Sequence, residues 1–140
     1  MTRRQGIAVA VLVVALFAAG CGGAGEPGNL QELQRVRAGT IDIVLLSENA
    51  SVRPGKDAFF MEFRAADGQP VDVGPVTASV SMPMAGMAPM MGGADIRSTS
   101  TPGRYAVALE TSMVGDWRLA LEWKGPAGAG SANLSIATQP

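Results

Sequence analysis

From Thr40 onward, apolar and polar residues alternate with a period of two, the pattern of strands that bury one face. Ile41, Ile43 and Leu45 share a face of a first segment. Phe59, Met61 and Phe63 share a face of a second, with Glu62 and Arg64 turned away and Asp67-Gly68 supplying a turn signal. Val76, Ala78, Val80 and Met82 alternate with Thr77, Ser79 and Ser81 in a third. A shorter fourth strand is expected from Ala94 to Thr99, followed by a Thr101-Pro102-Gly103 turn. Three further sets complete the series: Tyr105, Val107 and Leu109; Trp117, Leu119, Leu121 and Trp123; and Ala132, Leu134 and Ile136. About seven short strands separated by turns, with no competing helical period, predict an all-β fold, an immunoglobulin-like antiparallel β-sandwich. Each buried aliphatic or aromatic side chain contributes roughly 1.5–3 kcal/mol, so such a core is stable without metal or disulfide. Ahead of Thr40, Leu30 to Val36 suits either a short helical turn or linker.

The chain begins differently. After Arg3 and Arg4 an apolar run extends from Ile7 to Ala19, too short for a membrane-spanning helix and the right length for a signal-peptide core. It ends in Ala18-Ala19-Gly20-Cys21, which resembles the lipobox of bacterial lipoproteins, with Gly22-Gly23-Ala24-Gly25 as a leash behind it. Gly6 stands where a twin-arginine signal wants an apolar residue. The expected organisation is a lipoprotein signal peptide over 1–20, lipidated Cys21 and a flexible linker over 21–37, and a β-sandwich domain over 38–140. The mature protein is then extracytoplasmic and lipid-anchored in the cell envelope. By resemblance to lipoprotein sorting, Gly22 favours the outer membrane, facing the periplasm, if the source has one. Cys21 is the only cysteine, so lipidation leaves neither a disulfide nor a thiol nucleophile.

Without Arg3 and Arg4, nine of the eleven basic residues remain against twelve acidic ones, a formal charge of −3. No basic patch is present, which argues against nucleic acid as a partner. The chain has no histidine, the commonest general base and transition-metal ligand. Phosphate loop, nucleophile elbow and calcium-type acidic cluster are likewise missing from the sequence. The acidic residues are scattered singly along strand-like segments, where a solvated face is expected. An enzyme is not expected from this inventory.

One stretch stands apart. "SMPMAGMAPMMGG", residues 81–93, places Met82, Met84, Met87, Met90 and Met91 within ten positions, interrupted by Pro83, Pro89 and glycines. Met82 continues the inward phase of Val76, Ala78 and Val80. Beyond it, the prolines resist a central strand and Gly86, Gly92 and Gly93 favour turns, so Met84, Met87, Met90 and Met91 are expected in a loop. Exposed thioethers there fit a partner-binding surface, a flap over the sandwich end, or a metal site. Thioether sulfur is a soft, neutral donor that selects Cu(I), and the spacing Met-x-Met-x-x-Met-x-x-Met-Met looks like the methionine motifs of extracytoplasmic copper-handling proteins. If successive strands run up and down, the "ETSMVGDW" loop and the loop from Ser47 to Lys56 emerge at the same end. Met113 then approaches the methionine loop, with Trp117 beneath it as core or as a ring against a bound cation. Met61 lies mid-strand and belongs to the core.

"VSMPMAGMAPMMGGADIRSTSTPGRYAVALETSMVGDWRLALEW" is similar to the YtkA-like domain, related to FixH-like proteins. The likeness rests on a methionine-proline segment, a turn, Gly103-Arg104-Tyr105, and a Met-x-Gly-x-Trp signature at Met113, Gly115 and Trp117, and spans residues 38–137. It implies a small extracytoplasmic β-sandwich concerned with copper handling or with assembly of copper-containing respiratory enzymes. Many relatives carry a histidine in the methionine segment; its absence here points to an all-thioether Cu(I) site drawn from Met82, Met84, Met87, Met90, Met91 and Met113. The expected partners are the membrane, through the lipid, and a copper efflux component or cuproenzyme. A non-metal adaptor that docks on another envelope protein through the methionine-rich loop is the competing expectation.

Overall fold

The structure, a computed structural model, describes residues 28–140. The expected signal peptide over 1–20 and the expected lipidation site at Cys21 therefore lie outside the described residues. Eight strands follow in order: β1 Gln31–Ala38, β2 Ile41–Ser47, β3 Gly55–Arg64, β4 Val76–Met82, β5 Met90–Ser98, β6 Arg104–Thr111, β7 Gly115–Gly125 and β8 Gly128–Thr138. All pairings between them are antiparallel, in the order β1-β2-β3-β6-β5-β4-β7-β8. The fold is an immunoglobulin-like sandwich.

Strand β5 belongs to both layers. Its first residues, Met90 to Gly92, pair with β4, and Gly93 to Ser98 pair with β6. Gly92 makes the crossing possible: a Cβ there would lie 2.7 Å from the Glu110 carbonyl, 2.8 Å from Val80 Cγ1 and 3.2 Å from Trp117 Cζ3. Gly92 and Gly93, expected to mark a turn, are thus strand residues at the corner of the sandwich. Strand β5 begins four residues earlier than the alternation suggested, because Pro89 closes the loop and the glycines hide the strand phase.

The inward residues follow the period-two pattern. Ile43, Leu45, Phe59, Met61, Phe63, Val80, Tyr105, Val107, Leu109, Trp117, Leu119, Leu121, Trp123, Leu134 and Ile136 are buried in one cluster. Phe63 packs edge-on against both Tyr105 and Trp123, at centroid distances of 5.5 and 5.1 Å.

Two expectations need correction. Leu30 to Val36 is neither a helical turn nor linker: from Gln31 the chain forms β1, paired with β2. A β-bulge at Leu33, between Glu32 opposite Leu46 and Gln34 opposite Leu45, shifts the phase. That leaves apolar residues at helix-like spacing. Glu62 does point out of the core, yet it is 2% exposed rather than solvated. It lies between Val44 of β2 and Arg104 of β6 in the register. Arg64 Nε donates to one carboxylate oxygen at 2.6 Å and Arg104 Nε to the other at 2.8 Å. Burial, the largest single influence, would raise the carboxyl's pKa. The two guanidinium hydrogen bonds and their charges outweigh it and hold Glu62 below the usual carboxylate range.

Candidate functional site

The register collects several chain segments at one end of the sandwich. Gln31 of β1 faces Ser47, Gly55 of β3 faces Thr111, Met82 faces Met90, and Gly115 faces Thr138. Val52 in the β2–β3 loop bridges to Thr138, and the Gln139 N–H donates to its carbonyl at 2.9 Å. The β2–β3, β4–β5 and β6–β7 loops therefore share a pole, as strand-order parity anticipated. The Met113 turn lies there with the methionine hairpin.

Within the hairpin the methionines divide. Met82 and Met90 are direct cross-strand partners, half-buried on the inward face and packed against the core. Met84 and Met87 lie in the connecting loop, where the Met87 N–H donates to the Met84 carbonyl at 3.3 Å. Gly86, with φ of 73°, supplies the left-handed residue of that turn. Met84 is half-buried, whereas Met87 is 64% exposed. Met91, equally exposed, follows Met90 in β5 opposite Ser81 and so occupies the outward face, away from Met82 and Met90. Met90 and Met91 are thus strand residues, not loop residues, although both remain at the pole.

The β6–β7 turn closes over this hairpin. Ser112 donates its hydroxyl to Met90 Sδ at 2.8 Å, which fixes one sulfur lone pair and brings the neighbouring Met113 beside the hairpin. Met113 leaves its side chain 44% exposed, while its carbonyl accepts hydrogen bonds from Trp117 Nε1 and the Thr138 hydroxyl, both at 3.1 Å. Gly115 sits under Met82: a Cβ there would lie 2.8 Å from Met82 Sδ. The Met-x-Gly-x-Trp signature is therefore a physical unit. Its methionine carbonyl anchors the indole, its glycine admits a thioether, and its tryptophan is core. Trp117 is fully buried, so of the two readings of its ring the structural one holds.

Ser112 is the residue that sequence reasoning passed over, although it stood inside the quoted "ETSM" loop. Thr111, just before it, is buried with an oxygen that lacks a hydrogen-bond partner among the described residues. The described residues hold no group of three or more His, Cys, Asp or Glu side chains suited to a metal ion. The donors gathered at this pole are thioethers.

The sequence model of the YtkA-like family matches residues 35–122. That span runs from β1 into β7 and contains every methionine of the pole. No curated protein matches the chain. Among solved structures, the Lin-41 filamin domain is similar at 13% identity and a TM-score of 0.45, covering 76% of this chain and 98% of that one. The ZirS C-terminal domain is similar at 14% identity and a TM-score of 0.45, covering 97% of each chain.

Proposed function

Because the chain belongs to the YtkA-like family, we propose that it is a membrane-tethered, extracytoplasmic Cu(I)-binding protein that buffers copper or passes it to an efflux component or cuproenzyme. The observation that carries this reading is the pairing of Met82 with Met90 on one face, with Met84 and Met87 above them and Met113 on the adjoining turn. These thioethers are soft, uncharged donors, suited to Cu(I) and poorly suited to Zn(II) or hard cations. Ser112 occupies one lone pair of Met90 and leaves the other free for a metal. Neutral ligands leave the ion its full charge, which favours moderate affinity and release over permanent storage. The role is non-enzymatic, and the membrane tether is the lipid on Cys21.

Anaerobic Cu(I) is expected to raise the melting temperature, whereas Zn(II) is not. Free Cu(I) at a hundredfold excess over Kd contributes about 2.7 kcal/mol, a shift on the order of 10 °C for a domain this small. Met84→Leu/Met87→Leu/Met90→Leu conserves volume and is expected to keep the fold while abolishing the shift. A shift that survives the triple replacement, or no shift in the native protein, would sink the reading. Co-purification of an envelope protein without metal would then favour the adaptor.

A further inference from the structure

The large hydrophobic side chains exposed among the described residues are Met87, Met91, Met113 and Val114, and all four lie at the methionine pole. Residues 82–94 carry no charged, hydroxyl or amide side chain. Outside the backbone, the β4–β5 tip therefore offers water no hydrogen-bonding group. A specific protein contact is normally set by about one hydrogen bond per 100–200 Å²; an apolar tip of this kind suits a surface that asks for none.

The position of β1 identifies that surface. Gln31, its first residue, pairs with Ser47 at the methionine pole, and Cys21 lies ten residues upstream. At 3.3–3.6 Å per residue, those ten residues reach at most about 35 Å. The eleven residues of β7 span a similar length, about 36 Å, from this pole to the other. A tether attached at this pole spends its whole reach before it could bring the far pole to its anchor.

We propose that the methionine pole is a membrane-docking tip, with Met87, Met91, Met113 and Val114 seated in the interfacial layer of the bilayer that holds Cys21. The proposal rests on the lipid anchor in the function proposed above, and not on copper. Two contacts on one pole, one covalent and one apolar, fix the orientation of the domain on the membrane.

Spin labelling tests this on the full-length lipidated protein in phosphatidylcholine vesicles. Lipidation consumes the only native thiol, so Met87→Cys and, on the β7–β8 turn at the far pole, Ala127→Cys each provide a single labelling site. On reconstitution, collision of the Met87 label with a water-soluble nickel chelate is expected to fall severalfold and its oxygen accessibility to rise, with the Ala127 label unchanged. Equal nickel accessibility at both positions on vesicle-bound protein would overturn the docking and leave the anchor standing. Shielding of Met87 that appears only with added membrane proteins would assign the tip to a protein partner and also overturn it. Protein that fails to float with the vesicles would overturn the anchor and the docking together.

Discussion

Alanine in place of Glu62 is expected to lower the unfolding free energy by about 3 kcal/mol at neutral pH, the lower range for breaking a buried ion pair. The carboxylate is 3% exposed and its two arginines 22% and 20%, so the cations left behind regain only part of their hydration. Glu62→Gln keeps the shape and loses the charge, and is expected to cost less than alanine. The pH dependence follows from the direction of the shift. Folding lowers the carboxyl below its usual 4.5, so the unfolded chain takes up the proton first. The stabilisation is fully present above about pH 4.5 and is lost as pH falls through the lowered native value. Glu32, held down chiefly by its hydrogen bond from Arg35, and Asp42, held down chiefly by that from Arg37, act in the same sense at the surface. Acid sensitivity therefore persists in the glutamine variant with a shallower slope. Denaturant midpoints between pH 7 and pH 3 measure it, and an unchanged slope would contradict the role given to Glu62.

The second large effect is at Gly103, the glycine of the Gly-Arg-Tyr signature. Its φ is 83°, and a Cβ there would lie 2.5 Å from the Val71 carbonyl oxygen and 2.7 Å from its nitrogen. Those atoms cannot yield easily. The Phe63 N–H donates to the Gly103 carbonyl at 2.9 Å, and the Val71 N–H donates to Phe63 at 2.8 Å. Gly103→Ala combines the left-handed penalty of roughly 1–2 kcal/mol with a backbone clash of similar size, about 3 kcal/mol in all. Gly39→Ala is the control: φ is 63° but no atom lies within 4 Å, so only the conformational part is expected. Equal losses in thermal unfolding would show that the close approach of Val71 has no energetic weight. Beside Gly103, Arg104 reaches Glu62 and the Tyr105 hydroxyl donates to the Gly74 carbonyl at 2.7 Å. The signature thus fastens β6 to β3 and to the segment leading into β4.

The strand faces were legible wherever one side of the chain met the core uninterrupted, as at Phe59, Met61 and Phe63 or at Trp117, Leu119 and Leu121. Strand β1 escaped because the bulge at Leu33 moves its apolar residues out of alternation. The opening of β5 escaped because glycine carries no side chain to show a phase: Gly92 is a close-packing position and Gly93 a strand residue paired with Glu110, and neither is a turn residue. At the pole, the proximity of Met113 to the hairpin could be foreseen from strand parity. The separation of Met91 from Met82 and Met90 required the register. The burial of Glu62 was hidden for another reason. An outward position on a strand says nothing about two arginines from neighbouring positions and strands folding over it.

Copper ligation by thioethers is tested most directly by X-ray absorption on the Cu(I)-loaded protein, prepared anaerobically. The predicted spectrum has a first shell of sulfur alone, and it disappears with the bound copper in Met84→Leu/Met87→Leu/Met90→Leu. A first shell containing nitrogen or oxygen, or undiminished copper in the triple variant, would contradict it.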